Sequence, residues 1–449
     1  MKLRTVVLGG LLAIVACWEP GLAAELHVPG QYSTIQAAID AAEAGDVVQI
    51  APGTYRGPGN RNIDLKGKNI TVRGDGTAAE VVIDCESLGR GFVFRSNETR
   101  QCVLENVTVM RGHAINGGGV YCWGGASPTI RRCVVAFNQP NGIACEYFAS
   151  PLIEETAIQN NTPVWTSAVP GGTASWGGGI SATDSEVQMI RCELLNNVGS
   201  SGGACVFIGG TAKLLGCRIA GNRGLGAIRE LGSGAFSGFG NHLLLVNCTF
   251  NAMQSSGIVV DSSLVEISNS IVWGSGFEFE VYGSGQILAR HSNIRGGWPG
   301  EGNIDQNPMF VRDPDDGGDG FGDDPSTLNM DESANDDLGD IVLQPGSPCV
   351  DAGLNELLPP GLTTDLVGRS RIIGDVVDMG AIEFDPRPSP DFDGDGDVDQ
   401  DDFGVFQACS GGAGIAPSVG CEAADLDADG DVDQSDFGVF QRALTNSQL

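Results

Sequence analysis

Cys122-Trp123-Gly124-Gly125-Ala126-Ser127-Pro128-Thr129-Ile130-Arg131-Arg132-Cys133 is followed 23 residues later by Cys145-Glu146-Tyr147-Phe148-Ala149-Ser150-Pro151-Leu152-Ile153-Glu154-Glu155-Thr156. Cys122, Ala126, Ser127, Pro128 and Ile130 are each repeated at that one offset, as Cys145, Ala149, Ser150, Pro151 and Ile153. Chance does not place five identities in one register. The run from Thr129 to Asn138 also aligns with Met189 to Asn197, and Leu214-Leu215-Gly216-Cys217 repeats its centre.

Working outward from Cys133, a reference column runs through Asn106, Cys133, Thr156, Cys192, Cys217, Cys248, Ser270 and Ser292. Its spacings are 27, 23, 36, 25, 31, 22 and 22 residues. A variable period near 22, short β-branched runs and glycine-rich turns without helical patterns between them predict a parallel β-helix, one coil per repeat. Stacked coils lie about 4.8 Å apart, so inward side chains meet their equivalents and small or apolar residues recur in columns. The column cysteines are read as such a buried stack. Asn138, Asn161, Asn197 and Asn222 each follow the column by five residues and predict a ladder of stacked amides. A leucine-rich repeat is excluded, because its Leu-x-x-Leu-x-Leu rhythm is missing.

An open β-helix end exposes core and unpaired edges. The stretch before the repeats supplies a cover: Ile35, Ala38, Ile39 and Ala42 form one apolar helical stripe, with Ser33 and Gln36 as a capping box. Gly45-Asp46 then turns the chain into the strand Val47-Val48-Gln49-Ile50. Further upstream, Lys2 and Arg4, the apolar run Val6–Ala16 and Gly21-Leu22-Ala23-Ala24 read as an export signal, placing the mature start at Glu25. Ile14-Val15-Ala16-Cys17 offers a second reading, a lipoprotein signal with Cys17 lipidated. No later stretch has the roughly 18 continuous apolar residues of a membrane helix.

The pattern Thr34-Ile35-Gln36-Ala37-Ala38-Ile39-Asp40 through Ala51-Pro52-Gly53-Thr54-Tyr55, together with the coils, resembles the pectate-lyase-like right-handed parallel β-helix superfamily over residues 25–300. The resemblance implies an all-β right-handed solenoid. It does not fix the activity, because that architecture carries lyases, hydrolases, esterases and non-catalytic proteins. Residues 301–384 lose the period and read as an acidic loop followed by the closure of the solenoid. Residues 385–390 read as a proline-rich linker.

Charge is distributed unevenly. The chain carries a net −32, and residues 301–449 hold 34 acids against 5 bases. With no basic block, nucleic acid is excluded as a partner. Two twelve-residue loops concentrate the acid, Asp391 to Asp402 and Asp425 to Asp436. Asp391, Asp393, Asp395, Asp399 and Asp402 occupy positions 1, 3, 5, 9 and 12 of the first, and Asp425, Asp427, Asp429, Asp433 and Asp436 those of the second. Position 6 is Gly in both, and position 7, Asp397 or Asp431, offers a backbone carbonyl, which completes a hard oxygen shell for one Ca²⁺ per loop. Zn²⁺ is disfavoured, since neither loop contains Cys or His. Each loop runs into a Phe-Gly-Val-Phe-Gln helix, Phe403–Gln407 and Phe437–Gln441, and no helical pattern precedes the first loop. That duplicated loop-plus-helix unit, 391–449, resembles the dockerin modules of bacterial polysaccharide-degrading complexes, which implies two bound Ca²⁺ and a cohesin-like or cell-surface protein partner. Positions 10 and 11, Gln400-Asp401 and Gln434-Ser435, depart from the small hydroxyl pair of that family. Cys409 and Cys421 bracket the glycine-rich segment between the loops and are expected to pair, since disulfides are permitted on an export route.

The coils show no recognisable catalytic set. Neither an acid and base pair of the kind glycosidases use nor a carboxylate-bridged Ca²⁺ with a basic partner is evident. Arg132, Glu155, Arg191 and His291 stand one residue before the reference column and read as a solvated stripe. His113 reads as a turn residue with a local hydrogen bond. The 36-residue interval from Thr156 to Cys192 holds an insertion with Trp165 and Trp176. With Tyr121, Trp123 and Tyr147 nearby, these rings are the carbohydrate-binding candidates. Two function classes follow: a non-catalytic extracellular rod that faces polysaccharide and is attached through its calcium module, or a divergent polysaccharide lyase or glycoside hydrolase acting on an acidic polysaccharide.

Overall fold

The computed structural model describes residues 23–163, 177–224, 234–239, 242–252, 256–274, 279–318, 335–387, 390–392, 398–427 and 429–444. Residues 1–22 of the export signal, Trp165, Trp176, Asp393, Asp395 and Asp397 lie outside the described residues. Among those described, the coils form a parallel β-helix with one sheet of 18 strands and a second of ten.

A typical coil places Val120–Trp123 and Thr129–Arg131 in the long sheet and Val134–Ala136 in the second. Further along, the two long-sheet segments merge into the single strands Ile180–Ile190 and Gly202–Leu215. Pairing within both sheets is parallel, and the sequence offset of 23 is the true register: Cys122 faces Cys145, and Ile130 faces Ile153. One aliphatic column then runs through the whole solenoid, from Leu26 through Val48, Val72, Leu104, Ile130, Ile153, Met189, Leu214, Leu245 and Ile267 to Ala289. All of these are buried, so the inward side of every coil is removed from water by its neighbours.

The corner between the two sheets explains the reference column. Asn106, Arg132, Glu155, Arg191, Gly216, Asn247, Asn269 and His291 all adopt the left-handed conformation, with φ between 46° and 64°. The next residue must therefore fit a tight interior corner. Thr156, Ser270 and Ser292 donate their hydroxyls to the carbonyls of Glu154, Ser268 and Arg290 at 2.8–2.9 Å. The cysteine sulfurs stand at the same place, that of Cys133 lying 3.3 Å from the Arg131 carbonyl. Register corrects one assignment: Val134 pairs with Thr108, so Val107 occupies the column and Asn106 is the corner residue before it. An Asn fits both roles in sequence, because it is small and tolerates the left-handed region. The ten free cysteines among the described residues are all buried, and Cys122 and Cys145 are unlinked thiols.

The expected Asn ladder is present. Asn138 Nδ2 donates to Asn161 Oδ1 at 3.0 Å, Asn161 to Asn197 at 2.9 Å and Asn197 to Asn222 at 3.0 Å, with all four residues fully buried.

Helix α1 (Ile35–Ala41) buries Ile35, Ala38 and Ile39 in the same core. Its N-cap is Thr34 rather than Ser33, the Thr34 hydroxyl accepting from Ala37 N–H at 3.2 Å. Gln36 does not close a capping box; it bonds both the N–H and the carbonyl of Asp64 in the following coil. At the opposite end, residues 296–304 cover the last rung. Trp298 packs edge-on against Phe279 and donates Nε1 to the Ile287 carbonyl at 3.3 Å, while Asn303 donates to the Ala289 carbonyl at 3.0 Å.

The segment after the coils lies along the corner between the sheets. Asn247 Nδ2 donates to the Asp378 carbonyl at 3.0 Å, Gly380 N–H donates to the Asn269 carbonyl at 2.8 Å, and Ala381 N–H donates to Thr249 Oγ1 at 2.9 Å. Fully buried Arg371 and Glu383 pair at 2.5 Å inside this segment. Burial pushes Glu383 up to about 7 against the opposing pull of Arg371.

Candidate functional sites

Helices α2 (Gln400–Cys409) and α3 (Gln434–Leu444) belong to a duplicated unit whose halves are 34 residues apart. Phe406, Leu426, Val432 and Phe440 form its core, with Phe392, Val398, Phe403 and Phe437 packed around them. The position-12 carboxylates are built in identically. Asp402 accepts from Phe392 N–H at 2.5 Å and Asp399 N–H at 2.9 Å, and Asp436 accepts from Leu426 N–H and Asp433 N–H, both at 2.7 Å. Asp399 and Asp433 in turn accept from the N–H groups of Asp401 and Ser435, both at 2.7 Å. Backbone donors thus orient these carboxylates.

In the second loop, one oxygen from each of Asp425, Asp427 and Asp429 lies within 4.8 Å of the others, as does one from each of Asp431, Asp433 and Asp436. Gly430, at position 6, has φ +97°, the backbone conformation that the turn demands and that other residues rarely adopt. Desolvation, then the charges of Asp436 and Asp429, hold the Asp427 carboxyl above its ordinary value. The Asp431 Oδ1 is buried without a partner. An oxygen-only set with mutual repulsion and an orphaned oxygen fits a hard divalent cation such as Ca²⁺. In the first loop Asp391, Asp399 and Asp402 are described and occupy the matching places. The expected bond between Cys409 and Cys421 is formed. An open apolar groove of about 450 Å³ runs between the two helices, lined by Phe403, Phe406, Phe437 and the position-10 residue Gln434.

A different arrangement occupies the outward face of the long sheet. Trp123 and Tyr147 are 41% and 57% exposed, and their rings meet edge-on at 5.8 Å. Strand alternation turns Tyr121 to the same side as Trp123, and register sets Trp123 against Glu146 in the next coil. Tyr121 donates its hydroxyl to Glu146 Oε2 and Asn116 donates its amide to Glu146 Oε1, both at 2.8 Å. The Arg90 guanidinium stacks over the Tyr121 ring at 4.8 Å and donates Nε to the Asn116 carbonyl at 2.8 Å. Burial, then the Glu146 hydrogen bond, raises the Tyr121 hydroxyl further above neutrality, so it remains a donor. Thus Tyr121, Trp123 and Tyr147 are brought together, joined by Arg90, Asn116 and Glu146, which sequence reasoning passed over. The 23-residue register, which sets Glu146 opposite Trp123, is the signal in the sequence that points to Glu146. Glu146 is the one carboxylate bonded into this network among the described residues, so an acid and base pair is not assembled here.

The stripe before the reference column is engaged in ion pairs. Glu155 pairs with Arg191 and lies 3.9 Å from Arg132, while Arg132 and Arg131 both pair with buried Glu105. These contacts account for Arg132, Glu155 and Arg191 as a ladder that ties one coil to the next. His113 is exposed, and rather than standing in a turn it forms an isolated parallel bridge with Gln139 and donates its backbone N–H to the Gly89 carbonyl at 2.7 Å.

A family model described as a right handed beta helix region matches residues 59–227 and 118–294. The chain belongs to the right-handed β-helix family. Similar solved structures include the pectate lyase Pel9A, at 15% identity over 81% of this chain and 96% of that one, with a TM-score of 0.47. A mannuronic acid specific polysaccharide family 6 lyase from human gut microbiota is 13% identical over 63% of this β-helix chain and 82% of its own, with a TM-score of 0.32. A pectin methylesterase from carrot is 11% identical over 60% and 89%, with a TM-score of 0.31. No curated protein matches the chain. Among the described residues, no helix of this right-handed β-helix protein is long and apolar enough to cross a membrane.

Proposed function

We propose that the protein is an exported carbohydrate-binding β-helix, displayed through a C-terminal dockerin-like module that takes two Ca²⁺. The observation that carries the binding reading is the exposed Trp123 and Tyr147 pair beside the Arg90, Tyr121 and Glu146 network on a rigid sheet face. Aromatic faces stack on the apolar sides of sugar rings, while fixed donors and acceptors beside them meet hydroxyl groups. The module reading rests on the two acidic loops, their matched hydrogen bonds and the apolar groove beside Gln434, a surface suited to a protein partner. Residues 1–24 supply the export signal, and a lipid anchor at Cys17 is the alternative form of the same address.

The test is a screen of the mature chain, with Ca²⁺ present, against pectins, alginates, xylans and sulfated glycans, recording retention and product release. Retention without cleavage is expected. Product release would instead support the second reading, a divergent polysaccharide lyase or glycoside hydrolase. Failure to retain any glycan would remove the binding reading.

A further inference from the structure

We propose that the disulfide between Cys409 and Cys421 holds the second acidic loop in its cation-binding form, so that opening the disulfide weakens that site and spares the first. This rests on the cation reading given above. Cys409 is the last residue of α2, and Cys421 stands four residues before Asp425, so the bond closes residues 410–420 into a ring between the two loops. That ring is attached to the second loop at three points. Gly411 and Gly412 both donate their N–H groups to the Val432 carbonyl at 3.1 Å. Gly414 donates its N–H to the Asp431 carboxylate.

These attachments fall on position 7 of the loop and the residue after it. Val432 is buried in the phenylalanine core, so the ring binds the loop where the loop is already anchored. Asp431 is only 8% exposed, with one oxygen near those of Asp433 and Asp436 and with Oδ1 buried and unpartnered. The Gly414 N–H therefore orients one carboxylate of the second triad. Gly414 itself has φ +72°, a conformation that an open chain of eleven residues would sample only part of the time.

Opening the ring restores chain entropy to residues 410–420, and the three N–H bonds must then be regained against it. A cation that binds only the arranged loop has its apparent affinity lowered by the fraction of molecules so arranged. The first loop ends in the first turn of α2, and its Asp402 is anchored by Phe392 and Asp399, none of which lies in the ring. Reduction by an external dithiol supplies two electrons and two protons, breaks the S–S bond and leaves two thiols, while the dithiol closes to its own disulfide.

The experiment is a calorimetric Ca²⁺ titration of the full chain, oxidised and after treatment with dithiothreitol, repeated with Cys409→Ser/Cys421→Ser and with Asp425→Ala. Far-UV circular dichroism at each Ca²⁺ concentration follows helix content alongside. The oxidised protein is expected to take two ions. The reduced protein and the double serine variant are expected to bind one of them about tenfold more weakly or worse, with the other unchanged. In Asp425→Ala the redox-sensitive event should disappear. Equal affinities before and after reduction, or equal weakening of both events, would overturn the proposal, the latter assigning the disulfide a general stabilising role. If the oxidised protein takes no ion, the cation reading itself fails, and that failure is visible before any reduction is attempted.

Discussion

Asn161 donates its side-chain amide to the Asn197 oxygen at 2.9 Å, across the 36-residue interval that holds the longest insertion in the solenoid. The ladder therefore continues between coils separated by more residues than their neighbours are. Each rung also accepts a backbone bond: Asn138 N–H donates to Asn161 Oδ1 at 2.9 Å, and Asn161 N–H donates to Asn197 Oδ1 at 3.1 Å. The extra residues of this interval are thus compatible with unchanged stacking on either side of it.

Replacing Asn161 by Ala removes an acceptor from two buried donors on Asn138 and a donor from the Asn197 oxygen. A buried polar group left unsatisfied costs about 1–3 kcal/mol, so Asn161→Ala should lower stability by at least that amount. Asn161→Asp should be no milder, because it replaces the donating amide with an acceptor. Urea titration of both variants, followed by intrinsic fluorescence, measures this. A change under about 0.5 kcal/mol would mean that the ladder does not hold the coils together.

The Asp84 carboxyl illustrates how the flank of the solenoid responds to acid. Burial alone would raise it, but hydrogen bonds from Arg111 and then Arg56 outweigh burial and bring it down to about 2. Because the folded value lies below the ordinary 3.8, the contribution is complete above that value and is lost as pH falls through about 2. Asp84→Asn should therefore destabilise the protein at pH 7, by about 1–2 kcal/mol. The gap between variant and parent should narrow between pH 4 and pH 2. Thermal melts across that range check the sign, and a gap that widened toward acid would refute the assignment.

In the C-terminal module, Asp436 accepts backbone N–H groups from Leu426, Asp427 and Asp433. It is both the last residue of the acidic loop and the brace of its fold. Chelation with EDTA is expected to remove the helical signal of α2 and α3 while leaving the β signal of the coils intact. Asp436→Ala should prevent Ca²⁺ from restoring the second helix. Far-UV circular dichroism with added Ca²⁺ provides the reading, and a helix content indifferent to chelation would count against a metal-dependent module.

Much of this architecture was legible because a parallel β-helix writes its register into the sequence. Cys122 and Cys145 pair at the offset their flanking identities indicate, and the Asn column reads directly as a ladder. Errors of one residue arose where two physical roles accept the same side chain. Asn106 fits the column by sequence but is the left-handed corner beside Val107, and Ser33 fits the cap by sequence but Thr34 serves. Arg90 and Asn116 escaped notice for another reason. They sit in turns of variable length, whose placement over Tyr121 depends on where each turn returns to the sheet and leaves no periodic trace. In the acidic loops the duplication was legible, since Asp402 and Asp436, read at the same position of the two repeats, make matched bonds to backbone N–H groups.

The most direct test of the proposed carbohydrate-binding face is the affinity of the full chain for the best-retained glycan, measured by calorimetry with Ca²⁺ present and compared with Trp123→Ala/Tyr147→Ala. The rings are exposed and lie outside the core columns, so the variant should fold as the parent does. The account predicts a loss of at least tenfold, matching about 1.4 kcal/mol for the two stacking contacts. Unchanged affinity in the double variant would contradict it and move the search for a binding surface away from the Trp123 face.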